Sequence, residues 1–218
     1  TATEEDYLSR TRNNYLASLS VSGGERPEFG FAYIDVTTGE FGATSFGAAD
    51  FAERFRKETG RIEPCEMLVQ QSILGAYPEA NAILGEYPAM VVNRYPDWSY
   101  NPAAARKRLC SAFGTESLKA FALEDSSPEL PAAGLLIEYL EQTAGAKIAH
   151  VSGIRVYGES DYVSIDDSTR KNLELDRNLR DGSSAYTLFE SLDRTKTSMG
   201  SRLLRSWIHH PLTDARAI

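Results

Sequence analysis

Apolar and polar positions alternate between residues 14 and 46, and this period of two predicts β-strands that have two different faces. A first strand covers residues 15–21 and is followed by the chain-breaking pair Gly23-Gly24. The next strand ends in the short polar break Thr37-Thr38-Gly39, which allows a tight turn into another strand at Phe41. The pattern therefore predicts an antiparallel meander of three strands.

The apolar period then changes to that of a helix over residues 50–59, and Gly60 is its expected end. Short apolar runs at residues 67–69 and 90–92 predict two further strands, and residues 72–84 between them are weakly helical. Strands joined through a helix form a parallel crossover. We therefore expect an α/β fold in which helices pack on a mixed sheet.

Helix signals dominate from Asn101 onwards. Asn101 is a suitable N-cap, Pro102 occupies the first helical position, and Gly114 follows the last periodic residue. Ser127-Pro128 repeats this start signal, so a second helix is predicted as far as residue 143.

The change of pattern near residue 125 predicts an α/β domain over residues 1–124 and the start of a mostly helical domain over residues 125–218. The second domain is expected to contain a small hairpin and three more helices. In the hairpin, Ile154 and Val156 face Val163 and Ile165 across Gly158. The first of these helices is indicated by possible caps at Asp166-Asp167-Ser168-Thr169 and is expected to carry Leu173, Leu175 and Leu179. The second is indicated by the capping-box pair Thr187 and Glu190. The third follows Gly200, buries the apolar stripe Leu203, Leu204, Trp207 and Ile208, and ends before Pro211.

The composition is that of a globular protein and excludes several other classes. The 218 residues (24.1 kDa) are 42% hydrophobic and 25% charged, and the mean hydropathy is −0.35. No apolar run approaches the roughly 20 residues of a membrane span or resembles a signal peptide. Two cysteines, Cys65 and Cys110, cannot build a disulfide framework, so we expect buried thiols in a cytoplasmic protein.

The net charge of −8 argues against a chain that coats nucleic acid through phosphate contacts, although residues 194–218 are locally basic. The ends of the sequence indicate a fragment. The chain opens with Thr1 rather than Met, and Thr213-Asp214 is a typical helix N-cap just before the sequence stops at Ile218.

Candidate catalytic residues are few. No Gly-rich loop ends in Gly-Lys-Ser or Gly-Lys-Thr, so no nucleotide site is predicted from motifs. Asp35, with Glu40, Glu63 and Glu66 near it in sequence, could indicate the carboxylates of a two-metal nuclease. Because Asp35 lies at the mouth of a turn, where Asp commonly bonds the backbone, we interpret it as a turn cap.

The other candidates favour structural roles. His209-His210 and the remaining histidine, His150, do not have metal-ligand spacing. Arg106-Lys107-Arg108, and Arg202 with Arg205, fit solvated or internally paired helix faces. Phe51-Ala52-Glu53 could suggest an aromatic wedge for DNA, but Phe51 lies on the apolar stripe and is expected in the core.

Four longer strings in this order resemble the MutS family of mismatch-repair proteins, and they span nearly the whole chain. They are Asn13-Asn14-Tyr15-Leu16-Ala17, the stretch 31–41 (FAYIDVTTGEF), the stretch 166–175 (DDSTRKNLEL) and the stretch 192–212 (LDRTKTSMGSRLLRSWIHHPL).

The resemblance implies an RNase H-like connector domain, a mixed sheet with flanking helices, followed by the beginning of the core domain. The family's mismatch-reading domain and its ATPase would lie outside these residues. An RNase H enzyme carries its first metal-binding acid on the first strand, whereas residues 15–21 contain no acid. The fold is therefore expected without the nuclease, which remains the alternative function.

The resemblance further implies that the parent is a homodimeric ATPase that clamps mismatched DNA and recruits MutL. ATP and Mg²⁺ belong to the full-length family, and no cofactor is expected in this part. We expect this chain to couple the mismatch-reading and ATPase regions and to offer a docking surface for MutL, without catalysis or membrane attachment. No catalytic, cofactor, metal or DNA-binding residue is assigned, and the residues that meet MutL are not identified.

Overall fold

The structure is a computed structural model and describes residues 14–144, 150–158, 161–163, 165 and 167–216. Asn13, Asp166 and Ile218, which belong to motifs discussed above, lie outside these ranges.

The strands of the described part form one mixed sheet. They are β1 (Tyr15–Val21), β2 (Glu28–Asp35), β3 (Phe41–Gly47), β4 (Glu66–Gln70), β5 (Val91–Tyr95) and β6 (Arg155–Val156), in the order β5-β4-β1-β2-β3-β6. β1, β2 and β3 are antiparallel neighbours. β4 pairs with β1, β5 with β4, and β6 with β3 in parallel. The predicted meander, crossover and mixed sheet are confirmed.

The helices surround this sheet and continue beyond it. Those of the described residues are α1 (Phe51–Ile62), α2 (Gln71–Ala76), α3 (Pro78–Gly85), α4 (Pro102–Phe113), α5 (Leu130–Ala144), α6 (Asp167–Asn172), α7 (Leu188–Leu192) and α8 (Ser198–His209). None of them is both long and apolar enough to cross a bilayer.

Two apolar cores lie on opposite faces of the sheet. On one face, side chains of β1 and β2 such as Leu16 and Ile34 pack with α4 and α5. On the other face, Phe31 and its neighbours pack with α1, α2 and α3, where Phe55 is fully buried. Because β1 is covered on both faces, it is nearly continuously buried rather than half exposed.

α5 packs closely on the rest of the first core. A Cβ added at Gly134 would lie 2.2 Å from the Cβ of Ala105 in α4, and one at Gly30 of β2 would lie 2.1 Å from the carbonyl oxygen of Pro128. Only glycine permits these approaches, so α5 belongs to the same layer as α4. The helix begins at Leu130, slightly later than its Ser127-Pro128 signal predicts.

The well-capped helices are confirmed. The Asn101 side chain accepts a hydrogen bond from the Ala104 amide, and Gly114 takes the left-handed conformation after α4 (φ 63°). The Thr187 side chain likewise accepts from the Glu190 amide at the start of α7.

The expected end of α1 at Gly60 is wrong. Gly60 is a buried helical residue, and the helix ends at Ile62 because Glu63 adopts the left-handed conformation (φ 47°) and donates its amide to the Thr59 carbonyl at 2.8 Å. The weakly helical stretch after β4 is divided into α2 and α3, because Pro78 starts a new helix.

The predicted hairpin near Gly158 is also wrong. Val156 of β6 pairs with Ala43 of β3, whereas the amide of Val163 donates to the Pro211 carbonyl at 2.8 Å. The two apolar runs therefore find partners elsewhere in the chain, which a pattern of local alternation cannot reveal.

Two later helices differ from their predictions. α6 ends at Asn172, so Leu173 and Leu179 lie beyond it and are exposed, while Leu175 is buried. α8 starts earlier than Gly200 because the Thr197 hydroxyl caps it. Leu203 and Trp207 of its apolar stripe are exposed (52% and 63%).

Candidate functional site

A buried polar cluster joins α1 to the later part of the chain, and we call it the polar joint. It consists of Glu58, Arg61, Tyr33, Tyr157 and Tyr162. Glu58 and Arg61 lie one helical turn apart and are both buried. Arg61 donates from Nη2 to the Glu58 carboxylate at 2.5 Å and to the Tyr157 hydroxyl at 2.6 Å. The Tyr157 hydroxyl in turn donates to the Glu58 carboxylate at 2.8 Å, which closes the triangle.

Aromatic rings surround the guanidinium of Arg61. Its central carbon lies 4.8 Å from the ring centroid of Tyr157, 5.3 Å from that of Tyr162 and 5.5 Å from that of Tyr33. Ring faces attract cations, and more strongly where water is excluded. Burial lowers the pKa of Arg61, but the surrounding Tyr157 and Glu58 outweigh it, so the pKa is raised and the cation is retained.

Two more contacts connect the body of the sheet with residues 162–210, and a third links Tyr162 to the end of α8. Arg170 donates to the Gly60 carbonyl at the end of α1. Arg177 and Glu63 form an ion pair of 2.9 Å. The His210 ring, at the end of α8, lies 5.7 Å from the ring of Tyr162. The polar joint is thus the centre of a larger contact between the sheet and the last helix.

A second, partly buried carboxylate lies at the edge of the polar joint. Glu40 accepts hydrogen bonds from the hydroxyls of Tyr15 (3.1 Å) and Tyr33 (3.3 Å). Burial raises the pKa of Glu40, and the nearby Asp35 acts in the same direction. Because Tyr33 contacts both Glu40 and Arg61, the two groups of polar residues share one tyrosine.

Asp35 itself has the predicted structural role. Its Oδ1 accepts hydrogen bonds from the amide and the hydroxyl of Thr37 at 2.8 and 2.7 Å, which confirms the turn-cap interpretation. Among the residues that the structure describes, no group of three or more His, Cys, Asp or Glu side chains could hold a metal ion. Nothing in this arrangement favours the nuclease alternative.

The polar side of α8 faces inward. The Asp176 carboxylate lies 2.5 Å from the Arg205 guanidinium and 3.4 Å from Nε2 of His209. Burial raises the pKa of Asp176, but His209 and Arg205 outweigh it and hold the value at about 2. The internal pairing predicted as one possibility for the basic residues of this helix is confirmed for Arg205.

The remaining candidates have structural contacts. Phe51 stacks on Phe29 at 4.0 Å, which confirms core packing. Arg106 and Arg108 of α4 pair with Asp125 (2.8 Å) and Glu138 (2.9 Å). The expectation of buried thiols is wrong, because Cys65 is exposed and Cys110 is only partly buried.

Sequence reasoning did not identify the polar joint. Glu58 and Arg61 have the spacing of a pair on one helix face, but the predicted end of the helix at Gly60 placed Arg61 outside it. Tyr157 and Tyr162 contact them from about 100 residues away in sequence, and single-sequence patterns carry no signal for such pairing.

Comparison with known sequence families divides the chain into two parts. Residues 14–152 match the family described as MutS domain II, and residues 168–218 match MutS domain III. The polar joint draws residues from the first match and from the segment between the two matches.

Curated relatives match the whole chain. A protein described as DNA mismatch repair protein MutS from Treponema denticola is 56% identical over 225 residues, which cover 100% of this chain and 25% of the relative. Proteins of the same description from Treponema pallidum and Symbiobacterium thermophilum are 44% and 40% identical, again over all of this chain and 24% of their own length. The chain therefore spans about a quarter of the length of these relatives.

Proposed function

The chain belongs to the MutS family of DNA mismatch repair proteins, and from this premise we propose that it couples the movements of neighbouring parts of a mismatch-recognising ATPase. The observation that carries the proposal is the polar joint. Arg61 links the sheet to Tyr162, and Tyr162 contacts His210 at the end of α8. A packed body with such a buried link can transmit a displacement of one end to the other.

In this proposal the chain has no catalysis and binds no cofactor of its own. ATP and Mg²⁺ act elsewhere in the full-length protein, which works in the cytoplasm on mismatched DNA together with a second subunit. The sheet is mixed, with an antiparallel meander flanked by parallel strands, and this supports the assignment of an RNase H-like connector.

The division into domains is also proposed, with a later boundary than the pattern near residue 125 suggests. α5 contributes to the apolar core on one face of the sheet, and the family matches stop at residue 152 and resume at residue 168. These observations favour a boundary between residues 152 and 168.

We further propose that the α/β body offers a docking surface to MutL. Binding of MutL to the 218-residue chain, measured by biolayer interferometry, tests this directly. Saturable binding is expected, and a chain that fails to bind MutL when its full-length parent does so would remove the docking role.

The coupling role is tested in the full-length parent that carries this sequence. Arg61→Lys keeps the positive charge but removes the planar guanidinium group, which donates hydrogen bonds to both Glu58 and Tyr157. We expect a reduced stimulation of ATP turnover by mismatched DNA and an unchanged basal turnover. Arg56→Lys, on the same helix but in an exposed pair with Glu86, is the matched control. Faster hydrogen exchange around Tyr157 would show that the Arg61 variant has loosened the polar joint. Full stimulation of ATP turnover by mismatched DNA in that variant would then contradict coupling through the polar joint.

A further inference from the structure

A cleft opens beside the polar joint, between one face of α1, the segment around Tyr157 and the end of α8. Residues three and four positions apart on α1 point to the same side, which explains why several charged residues of this helix meet there. The charged side chains and histidine that line the cleft are Arg54, Lys57, Arg61, Arg170, His209 and Glu58. Basic residues outnumber the acid among these lining residues, although the whole chain carries a net charge of −8.

Arg61 has hydrogen-bonding capacity that its known partners do not use. Its Nε and Nη2 donate to Glu58 and Tyr157, but Nη1 is buried and meets no acceptor within the described part of the chain. The side chain is only 8% exposed, so bulk water does not readily replace the missing acceptor. Leaving a buried N–H without a partner is unfavourable, and more so for a charged group.

His209, which lines the cleft from α8, also has a buried polar atom without a described hydrogen-bond partner. Its Nε2 lies 3.4 Å from the Asp176 carboxylate, whereas Nδ1 is buried without a hydrogen-bond partner among the described residues. The side chain is 8% exposed. Two nearly buried side chains from different elements therefore line the same cleft, and each has a buried polar atom without a partner among the described residues.

We propose that this cleft binds a phosphate-type oxyanion. An oxyanion offers several acceptor oxygens to donors that approach from different sides, and guanidinium groups bind such oxygens with charge-assisted hydrogen bonds. The ligand is either free phosphate or a phosphate group of a nucleic-acid backbone. This proposal goes beyond the coupling role and does not depend on it.

The test is a titration of the 218-residue chain with sodium phosphate at constant ionic strength, with sodium chloride as the reference salt. Isothermal calorimetry and the melting temperature are measured together. We expect saturable binding of phosphate and a rise in melting temperature that chloride does not produce.

Variants locate the binding in the cleft. Lys57→Gln removes a cation that is only half buried, and we expect the dissociation constant for phosphate to rise severalfold. Arg61→Lys retains the charge without the planar guanidinium group, and a tenfold rise is expected; its fold is checked by circular dichroism in chloride. Arg56→Gln removes a cation of α1 that does not line the cleft, and it should bind phosphate like the unmodified chain.

Two results would overturn the proposal: no saturable binding of phosphate beyond that of chloride, or unchanged binding in both Lys57→Gln and Arg61→Lys.

A competition experiment distinguishes free phosphate from a phosphate group of a nucleic-acid backbone. Displacement of phosphate by a short paired DNA duplex assigns the site to a backbone phosphate, and retention of phosphate in the presence of the duplex assigns it to the free ion. Neither measurement involves MutL or ATP turnover, so failure of the coupling role would not be confused with failure here.

Discussion

Arg61 donates a hydrogen bond of 2.6 Å to the hydroxyl of Tyr157, a residue 96 positions further along the chain. The bond connects the C-terminal turn of α1 to the residue that follows β6, one of the two edge strands of the sheet. Since Tyr157 also donates to Glu58, one tyrosine forms hydrogen bonds with both members of a buried ion pair.

Replacing Arg61 by Leu is therefore expected to destabilise the chain strongly. Glu58 would remain as a buried carboxylate without its cation, and the loss of one partner from a buried pair costs about 3–5 kcal/mol. Urea denaturation of the isolated chain measures this change. The double variant Glu58→Gln/Arg61→Leu should lose less than the single variant, because no unpaired charge remains. Arg56→Leu, which breaks an exposed pair with Glu86, should cost less than about 1 kcal/mol. Equal losses in the Arg61 and Arg56 variants would contradict the importance of burial.

The contact between α4 and α5 predicts a penalty for a single methyl group. In Gly134→Ala the new Cβ would lie 2.2 Å from the Cβ of Ala105, so the two helices must separate. Overpacking of this kind costs about 1–3 kcal/mol, which exceeds the gain in helix propensity of about 1 kcal/mol. Thermal unfolding is the measurement.

Gly75→Ala in α2 is the matched control, because a Cβ added there meets nothing within 4 Å. It should leave stability unchanged or raise it slightly. A neutral Gly134→Ala variant would show that the helices are less closely packed than described.

Tyr186 predicts a stabilising substitution. Its backbone is left-handed (φ 62°), which is unfavourable for a side chain with a Cβ, while the side chain is 90% exposed and contributes little packing. Tyr186→Gly should therefore raise the free energy of unfolding by up to about 1 kcal/mol, after allowance for the greater freedom of glycine in the unfolded chain. Tyr186→Ala keeps the strain and should bring no gain. A gain in the Ala variant equal to that in the Gly variant would assign the effect to the side chain instead.

His210 makes the stability depend on pH. Burial, together with the charge of Arg61, lowers the pKa of His210 well below its ordinary value, and Nδ1 lies 2.8 Å from the Ser206 carbonyl oxygen. The folded chain therefore binds fewer protons than the unfolded chain at this residue. Its contribution to stability is complete above the unfolded pKa of about 6.5 and is lost as the pH falls below that value.

The charged and titratable groups near His210 are Arg61, His209 and Arg170. Glu40 acts in the opposite sense, because its raised pKa gives a contribution that is complete at low pH and is lost as the pH rises through the folded value. Urea denaturation between about pH 7 and pH 5 should show a smaller decrease in stability for His210→Gln than for the unmodified chain. His150→Gln, at an exposed position, should retain the full decrease. Identical slopes for the unmodified chain and His210→Gln would contradict the prediction.

Local signals were sufficient for the elements that define the sheet. The alternation before β3, the cap at Asn101 and the turn at Asp35 all act over a few residues, and the structure agrees with each of them. The family resemblance found in the sequence is likewise confirmed.

The sequence predictions that were wrong share a different cause: residues far away in the chain provide contacts that local patterns do not indicate. Gly60 remains helical, and Arg170, 110 positions further along the chain, donates to its carbonyl. Residues 154–156 pair with β3 rather than with the nearby Val163. The polar joint depends on the same long-range pairings, so neither its residues nor its geometry could be deduced from spacing along the chain.

The parallel pairing of β6 with β3 has a consequence for shortened versions of this polypeptide. A chain that stops before Arg155 would lack β6 and leave the outer side of β3 without a strand partner at Gly42 and Ala43, the two residues that β6 covers. Exposed edge strands with unpaired backbone groups can pair with strands of other molecules. Truncation at that point should therefore yield self-associating material, even though every residue of the three-stranded meander is still present.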